Sequence, residues 1–281
     1  MPKSAPRASG RHMSGMGRGV LHPDAAAERF SLRRHEPPED LAAFLDFFWV
    51  VRWDLNGQPP YEQSILPHPN VNLGFEGPAA SGSTGALVYG VDTKIFSRRL
   101  TGTGKALGVR FRPGGFRPFY GRAVSELNDR VIPARNVFGD PADRVDEVVS
   151  AAETDEAMIA AASGLLRAAA PPPDPVARQV ADLVARVTGD PSLRRVSQLT
   201  LEAGIPERRL QRLFGEYVGV SPKWVMRRAR LHEAALRADA GQPVNWAGLA
   251  ADLGYADQAH LSRDFTETLG VSPSRYTGAD Q

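Results

Sequence analysis

Apolar and polar positions near the carboxy-terminal end of the chain follow one pattern twice. "LQRLFGEYVGVSP" begins at Leu210 and "LSRDFTETLGVSP" begins at Leu261, with leucine, arginine, phenylalanine and Gly-Val-Ser-Pro at the same internal spacing. Each stretch is preceded by a short amphipathic segment and then a turn that has glycine near its start. The two glycines are Gly204 and Gly254. The pattern predicts two copies of a helix, a turn and a second helix, which is the layout of a helix-turn-helix unit.

After about residue 175 the spacing of apolar residues is helical throughout, because they recur at i, i+3 and i+4. The predicted helices are Val176–Thr188, Val196–Ala203, Glu207–Val218, Pro222–Ala240, Trp246–Leu253, Asp257–Leu269 and a short one after Pro273. The two predicted recognition helices therefore cover about 207–218 and 257–269.

Between Phe30 and Phe111 the pattern favours strands instead. "FFWVVRWDL", "VNLGF" and "ALVYGV" are aromatic or β-branched runs, and "TGTG" between "KIFSRRL" and "KALGVRF" predicts a hairpin turn. "RPGGFRPFYG" ends the strand pattern, and the segment from about Pro141 to Ala170 is predicted to be helical.

The sharpest boundary is "PPPDP", from Pro171 to Pro175, because successive prolines cannot continue a helix. The predicted fold class is α+β, with a β-rich amino-terminal domain and flanking helices, then an all-α domain of two helix-turn-helix units joined by a long helix. The predicted divisions are a disordered tail over 1–20, a sensor or self-association domain over 21–170, a linker over 171–175 and a DNA-binding domain over 176–281.

Polar side chains occupy the outward face of each predicted recognition helix. Because the apolar residues of each helix share one face, the polar residues of each share the other. Arginine and glutamine there can bond to guanine and adenine edges in a major groove, or to phosphates. The outward side chains are Arg208, Gln211 and Arg212 in the first unit, and Ser262 and Arg263, with Gln258 beside them, in the second.

A long helix separates the two units. Ser221 is a suitable N-cap, Pro222 suits the first helical position, and Gly241 suits the end. The predicted helix is about 28 Å long at ~1.5 Å per residue, and a turn of B-DNA is about 34 Å. One rigid helix of this length can hold two recognition helices in successive major grooves. Arg227, Arg228, Arg230 and Arg237 on it are expected to be surface charges, some within reach of phosphates.

These stretches resemble the DNA-binding domain of the AraC/XylS transcription regulators. "LTLEAGIPERRLQRLFGEYVGVSP" and, more closely, "LAADLGYADQAHLSRDFTETLGVSPSRY" carry the resemblance. It implies contact with promoter DNA through Arg208, Gln211, Arg212, Gln258, Ser262 and Arg263. The first unit departs from the family, with Pro206 where a serine N-cap is usual and Thr200 where alanine is usual. A missing cap costs about 1 kcal/mol.

The amino-terminal segment resembles, more loosely, a sensor-type domain that precedes this DNA-binding unit in some bacterial regulators. "LPHPNVNLGFEG", "YGVDTK" and "GVRFRPGGFRPFYG" carry that resemblance, which names no ligand. Trp49, Trp53 and Tyr61 either line an effector pocket or form an ordinary core. Arg110 either pairs with an anionic effector or with a neighbouring acid.

Composition narrows the function classes without selecting one. The 281 residues include no cysteine, which excludes disulfides, cysteine-ligated metals and a thiol nucleophile. The formal net charge is +2, yet residues 1–20 carry four basic residues and no acid, so the remainder is slightly acidic. Global charge therefore does not indicate DNA binding. The sequence contains neither a signal peptide nor an apolar run long enough to span a membrane, so a cytoplasmic location is expected.

No triad, phosphate-binding loop or paired-carboxylate motif stands out, and the chain is expected to be neither an enzyme nor dependent on a cofactor or metal. The predicted function is that of a sequence-specific transcription regulator, modulated by a small-molecule effector. Its expected partners are double-stranded promoter DNA, that effector and, for an activator, RNA polymerase, with a homodimer left open and no membrane partner. The alternatives are a metal-dependent or other catalytic amino-terminal domain, with His68 and Asn70 as candidate residues, and a module whose helices bind protein.

Overall fold

The computed structural model describes residues 19–76, 85–190, 192–240 and 243–278. Of the predicted tail, residues 1–18 lie outside these ranges, whereas Gly19 and Val20 lie along the end of a strand. Val20 forms an antiparallel bridge with Ile65, and the Leu66 amide donates to the Gly19 carbonyl at 2.7 Å.

The amino-terminal half is built on strands, as predicted. Within the described residues they are β1 Phe30–His35, β2 Leu45–Asp54, β3 Tyr61–Ile65, β4 Asn72–Glu76, β5 Gly85–Tyr89, β6 Phe96–Leu100, β7 Thr103–Phe111 and β8 Val131–Pro133. Six of them form an antiparallel sheet in the order β1-β2-β7-β4-β5-β8, and β3 pairs with β6 in a second sheet.

Helices flank the sheets and then make up the regular structure of those carboxy-terminal residues that the structure describes. They are α1 Pro23–Ala27, α2 Arg117–Tyr120, α3 Arg135–Phe138, α4 Pro141–Ala151, α5 Asp155–Ala168, α6 Pro175–Gly189, α7 Val196–Ala203, α8 Glu207–Tyr217, α9 Pro222–Ala238, α10 Trp246–Asp252, α11 Gln258–Leu269 and α12 Pro273–Gly278. The α+β class is confirmed. Across the described ranges, no helix combines the length and the apolar character that crossing a membrane requires.

The long helix α9 ends at Ala238, two residues earlier than predicted, and the predicted stop at Gly241 lies outside the described residues. The helical segment predicted over 141–170 divides into α4 and α5. Its second part begins where the Thr154 hydroxyl accepts from the Ala157 amide at 3.2 Å.

The hairpin predicted at "TGTG" is wrong. Strand β6 pairs with β3, and β7 pairs with β2 and β4, so these two consecutive strands belong to different sheets. The carbonyls of the turn are bonded to the end of β2 instead: Trp53 Nε1 donates to Thr101 at 3.1 Å, and the Leu55 amide donates to Gly102 at 2.8 Å. Trp53 and Leu55 also form a small apolar cluster with Leu100.

Two tryptophans lie across glycines on one face of the large sheet. Trp49 is paired with Gly108, and Trp53 is paired with Gly104. A Cβ atom at Gly108 would lie 1.8 Å from Trp49 Cε2, and one at Gly104 would lie 2.2 Å from Trp53 Cζ2. The glycines therefore let both indoles cross the backbone of β7, as glycines that face aromatic residues across a strand pair do.

The opposite face of the sheet supports one continuous apolar core that reaches into the carboxy-terminal half. The core begins at Phe48, Val109 and Phe111 on the sheet and extends to α6, α8 and the start of α9. Residues 171–174 precede α6 without forming a helix, yet the side chains on both sides pack together.

A second core surrounds α10, α11 and α12. Leu231 and Ala235 of α9 pack there with residues of those helices and with Leu21 and Leu66 from the amino-terminal half. Helix α9 thus contributes to both cores.

Replacing the glycine under an indole tests the role of these strand pairs. We expect Gly108→Ala to lower the free energy of unfolding by about 2 kcal/mol or more, because overpacking displaces Trp49. Gly164→Ala in α5 is the control, since a Cβ there meets no atom within 4 Å. It should instead stabilise by about 0.5–1 kcal/mol through helix propensity. Urea unfolding measures both, and equal stabilities for the two variants would contradict this role.

The continuous core leads us to expect that the two halves unfold together. In the variant Trp224→Phe/Trp246→Phe, tryptophan fluorescence reports only Trp49 and Trp53, which lie in the amino-terminal half. Far-ultraviolet circular dichroism reports mainly the helices, most of whose residues lie in the carboxy-terminal half. The two urea transitions should share one midpoint, as a cooperative two-state transition requires. Separated midpoints would mean that the halves fold independently.

Candidate nucleic-acid interface

The first helix-turn-helix unit consists of α7, the turn 204–206 and α8. Gly204 ends α7 in a left-handed conformation, with φ of 64°. Leu199, Leu210 and Phe214 are buried between the two helices and their neighbours. Pro206 precedes α8 and supplies no side-chain hydrogen bond, so the missing cap predicted from the sequence is confirmed.

Arg208, Gln211 and Arg212 lie exposed on α8, opposite the buried face of the helix. Gln211 Nε2 donates to Glu207 Oε1 at 3.0 Å. Within the described parts of the chain, the guanidinium groups of Arg208 and Arg212 form neither an ion pair nor a hydrogen bond. Their donors are therefore available to an external acceptor.

The second unit consists of α10, a turn and α11, and side chains cap both helices. Asn245 Oδ1 accepts from the Gly248 amide at 3.0 Å, and Asp257 Oδ1 accepts from the His260 amide at 2.7 Å. Gly254 in the turn has φ of 74°. The cap predicted at Asp257 is confirmed.

The outward side of α11 places Gln258 and Arg263 in solvent and leaves Ser262 partly buried. Arg263, like Arg212, has no ion pair or hydrogen bond to any described residue. The two arginines thus occupy corresponding positions in the two units, both exposed and both without a carboxylate partner.

A buried carboxylate that sequence reasoning did not identify holds α11 against α9. Asp264 is only 8% exposed, accepts from Tyr255 Oη at 2.7 Å and forms an ion pair with Arg227. Arg227 also reaches Glu267 at 2.5 Å. Burial, and then the hydrogen bond to Asp264, raises the pKa of Tyr255. The available sequence signal is an acid beside Phe265 on the apolar face of α11.

A direct contact also joins the segment just ahead of the first unit to the second unit. The Arg194 side chain, ahead of α7, donates from Nη2 to the Asp252 carbonyl of α10 at 3.2 Å. It lies so close to the second turn that a Cβ at Gly254 would be 2.4 Å from Arg194 Nε. This contact fixes the second turn against the first unit.

The arginines of α9 do not all lie at the surface, which corrects the sequence-based expectation. Arg228 is 5% exposed, packs over Trp224 and donates to the Thr93 carbonyl at 2.8 Å. Burial lowers the pKa of Arg228 to about 10. Arg237 is exposed but paired with Glu233. The N-cap predicted at Ser221 is confirmed by its hydrogen bond from the Trp224 amide.

The amino-terminal half also contacts α9 through a histidine pair. The rings of His68 and His232 stack with centroids 3.9 Å apart, and His232 Nε2 lies 3.0 Å from the Pro67 carbonyl. Asn70 does not join them: its Oδ1 accepts from Arg110 Nη2 at 2.7 Å. Over the described ranges, no group of three His, Cys, Asp or Glu side chains is placed to hold a metal ion.

A cavity of about 210 Å³ lies between the large sheet and the β3-β6 pair. Trp49, Trp53 and Arg110 line it, whereas Tyr61 does not. Residues 66–68 line it as well, and they include the groups that contact α9.

Comparisons with known proteins match each half separately. Residues 33–133 match the family described as Domain of unknown function (DUF6597), and residues 199–279 match the family described as Helix-turn-helix domain. No curated protein matches the chain in sequence.

Solved structures of ToxT from Vibrio cholerae align with 89% of this chain. A 1.65 Å structure is 13% identical, with a TM-score of 0.39 over 98% of its own chain. A structure with unsaturated fatty acid bound is 12% identical, with a TM-score of 0.38 over 95% of its chain.

The helix-turn-helix match runs from within α7 to the end of α12 and therefore includes both units and the helix between them. It agrees with the duplicated geometry and the long shared helix. The chain carries an AraC-type helix-turn-helix domain at its carboxy-terminal end, preceded by a domain of the DUF6597 family.

Proposed function

We propose that the chain is a sequence-specific DNA-binding transcription regulator, with α8 and α11 as its recognition helices. The observation that carries the proposal is the pair of exposed, carboxylate-free arginines, Arg212 and Arg263, at corresponding positions in two units held by one helix. Two other exposed arginines of the carboxy-terminal half, Arg186 and Arg237, instead form ion pairs with carboxylates. The recognition helices keep theirs unpaired.

Helix α9 spaces the two units. Its 17 residues span about 26 Å, and successive major grooves on one face of a duplex are about 34 Å apart. Helix α8 comes just before α9 and α11 packs along α9 through the Asp264–Arg227 ion pair, so one helix carries both recognition helices and, in this proposal, presents them to two neighbouring grooves of one DNA molecule. A single chain then contacts two half-sites, for which symmetric regulators use a dimer.

The outward side chains supply two kinds of contact. Arg212 and Arg263 suit bidentate bonds to guanine O6 and N7, and Gln211 and Gln258 suit adenine N6 and N7. Arg208 and Ser262 suit contacts to phosphates. Phosphate contacts fix the position of the protein along the DNA and do not select the base sequence. Because Gln211 is bonded to Glu207 in the free chain, adenine contact there requires that bond to open.

We also propose that the β-rich part, over about 21–170, binds a small-molecule effector and that the proline-rich segment 171–175 marks the boundary with the DNA-binding part. The cavity and α9 share two segments, which supports this coupling. The first segment, residues 66–68, lines the cavity and contacts His232 of α9 through the Pro67 carbonyl. The second contributes Gly90 and Asp92 to the cavity, and the carbonyl of the next residue, Thr93, accepts from Arg228 of α9. A ligand that moves these segments changes the position of α9 and therefore the positions of the two recognition helices.

In this proposal the chain acts in the bacterial cytoplasm on promoter DNA. If it activates transcription, RNA polymerase is a further partner, and a homodimer would add a second pair of recognition helices. Neither partner is needed for the DNA contacts described above.

Removing one recognition arginine tests the DNA contacts. We expect Arg212→Ala and Arg263→Ala each to weaken specific binding by about 1–3 kcal/mol, because each removes a bidentate base contact. Both side chains are exposed, so the fold and stability should not change. Fluorescence anisotropy on a selected DNA site measures the affinity.

The matched control is Arg144→Ala, which removes the same charge from an exposed position on α4 in the amino-terminal half. It should bind DNA like the parent chain. Equal affinities for all three variants, with intact folds, would rule out the proposed recognition contacts.

A further inference from the structure

We propose that the cavity between the two sheets binds a small monoanion with a flat apolar body. Its carboxylate lies against Arg34 and Arg110, and its flat body lies on Trp49 and Trp53. This inference rests on the proposed effector role of the amino-terminal part and names the chemistry of the ligand.

The apolar part of the cavity suits a flat group. Trp49 and Trp53 both line it, and each crosses a glycine of β7, so the indoles cover the sheet. Flat groups pack well on such surfaces because offset and edge-on ring contacts add to apolar burial. A volume of about 210 Å³ lies below the roughly 300–1,000 Å³ of pockets for drug-sized ligands, which indicates a smaller molecule.

Two guanidinium groups of the cavity wall share one aromatic neighbour, and this part of the cavity is called the Arg34–Arg110 end. Those of Arg34 and Arg110 pack against the same Phe47 ring, 4.6 and 5.2 Å from its centroid. Asn70 orients Arg110, because its Oδ1 accepts from Arg110 Nη2 at 2.7 Å while its Nδ2 donates to the Phe111 carbonyl at 2.6 Å. Arg110 is therefore held in place before any ligand arrives.

The charges at this end do not balance. Asp46 is the carboxylate beside the pair, and it is 43% exposed, with Oδ2 3.3 Å from Arg110 Nε. The Nε atom of Arg34 is buried without a hydrogen-bond partner among the described residues, and the buried Nε of Arg110 has the ion pair with Asp46 but no hydrogen bond. Burial lowers the pKa of Arg110 to about 10, which still leaves it charged at neutral pH.

Burying a guanidinium group without its full set of hydrogen bonds costs free energy. A ligand carboxylate supplies both the opposite charge and the hydrogen-bond acceptors. The other cavity arginine, Arg98, already has such a partner: its Nη2 is 2.8 Å from Glu76 Oε1, and Glu76 is 3% exposed. An anion is therefore directed to the Arg34–Arg110 end rather than to Arg98.

The test uses two carboxylates and their neutral amides, namely cinnamate with cinnamamide and 2-naphthoate with 2-naphthamide. Isothermal titration calorimetry on the full chain measures affinity, and quenching of tryptophan fluorescence reports occupation of the cavity. We expect at least one carboxylate to bind at least about tenfold more tightly than its amide, because charge-assisted hydrogen bonds are lost in the amide. Equal binding of both pairs, or no binding of either carboxylate, would overturn the inference.

Variants locate the anion. Arg110→Gln and Arg34→Gln should each weaken carboxylate binding about tenfold or more and leave amide binding unchanged. Arg99→Gln on β6 is the control, because Arg99 is exposed and lies outside the cavity. Circular dichroism establishes that each variant is folded. If Arg110→Gln does not fold, the Arg34→Gln result decides, and folded variants that bind like the Arg99→Gln control would contradict the site.

DNA binding measured without ligand separates this inference from the proposed function. A chain that binds specific DNA but none of the carboxylates would refute only the ligand chemistry. A chain that binds carboxylates through Arg34 and Arg110 but no DNA would refute only the regulator.

Discussion

The structure of the carboxy-terminal half depends on one helix that is packed into two cores at once. Val225 and Met226 of α9 belong to the core that continues from the large sheet, and Leu231 and Ala235 belong to the core of the second unit. Because protein cores are close-packed and tolerate little movement, each unit is fixed to a different stretch of the same rod. The Arg194 contact to α10 and the Asp264–Arg227 ion pair add restraint at the second unit.

The same helix connects the proposed DNA-contacting surface to the cavity. Polar contacts from Pro67 and Thr93 reach His232 and Arg228 on α9, and they come from segments that also form the cavity wall. A ligand shifts such an equilibrium only by its difference in affinity between the two arrangements. The polar residues proposed for recognition remain exposed while α9 is packed against the sheet domain, apart from the partly buried Ser262. In the proposed function, an effector therefore acts through the positions of the two units rather than by covering them.

The sequence predicted the helices well and the strand pairing poorly, for a physical reason. Helix ends depend on neighbours in the chain: the helix Val196–Ala203 is as predicted, and Asp257 caps α11 as expected. Strand pairing depends on residues far apart, and "TGTG" resembles a hairpin turn although Trp53 and Leu55 occupy its carbonyls. Local pattern contains no information about such a partner.

The outward arginines followed from helical periodicity alone, whereas the burial of Arg228 and Asp264 depends on contacts across helices. The sequence also left open whether Trp49 belongs to a core or lines a pocket. Its place over Gly108 in the cavity wall depends on strand pairing, which the local pattern does not contain. The most direct test of the central claim is hydroxyl-radical footprinting of the chain on DNA selected from a random library. Two protected patches about 10–10.5 base pairs apart, with binding lost when five base pairs are inserted between them, are the expected result. A single patch, or binding that tolerates the insertion, would contradict two recognition helices held by one rigid rod.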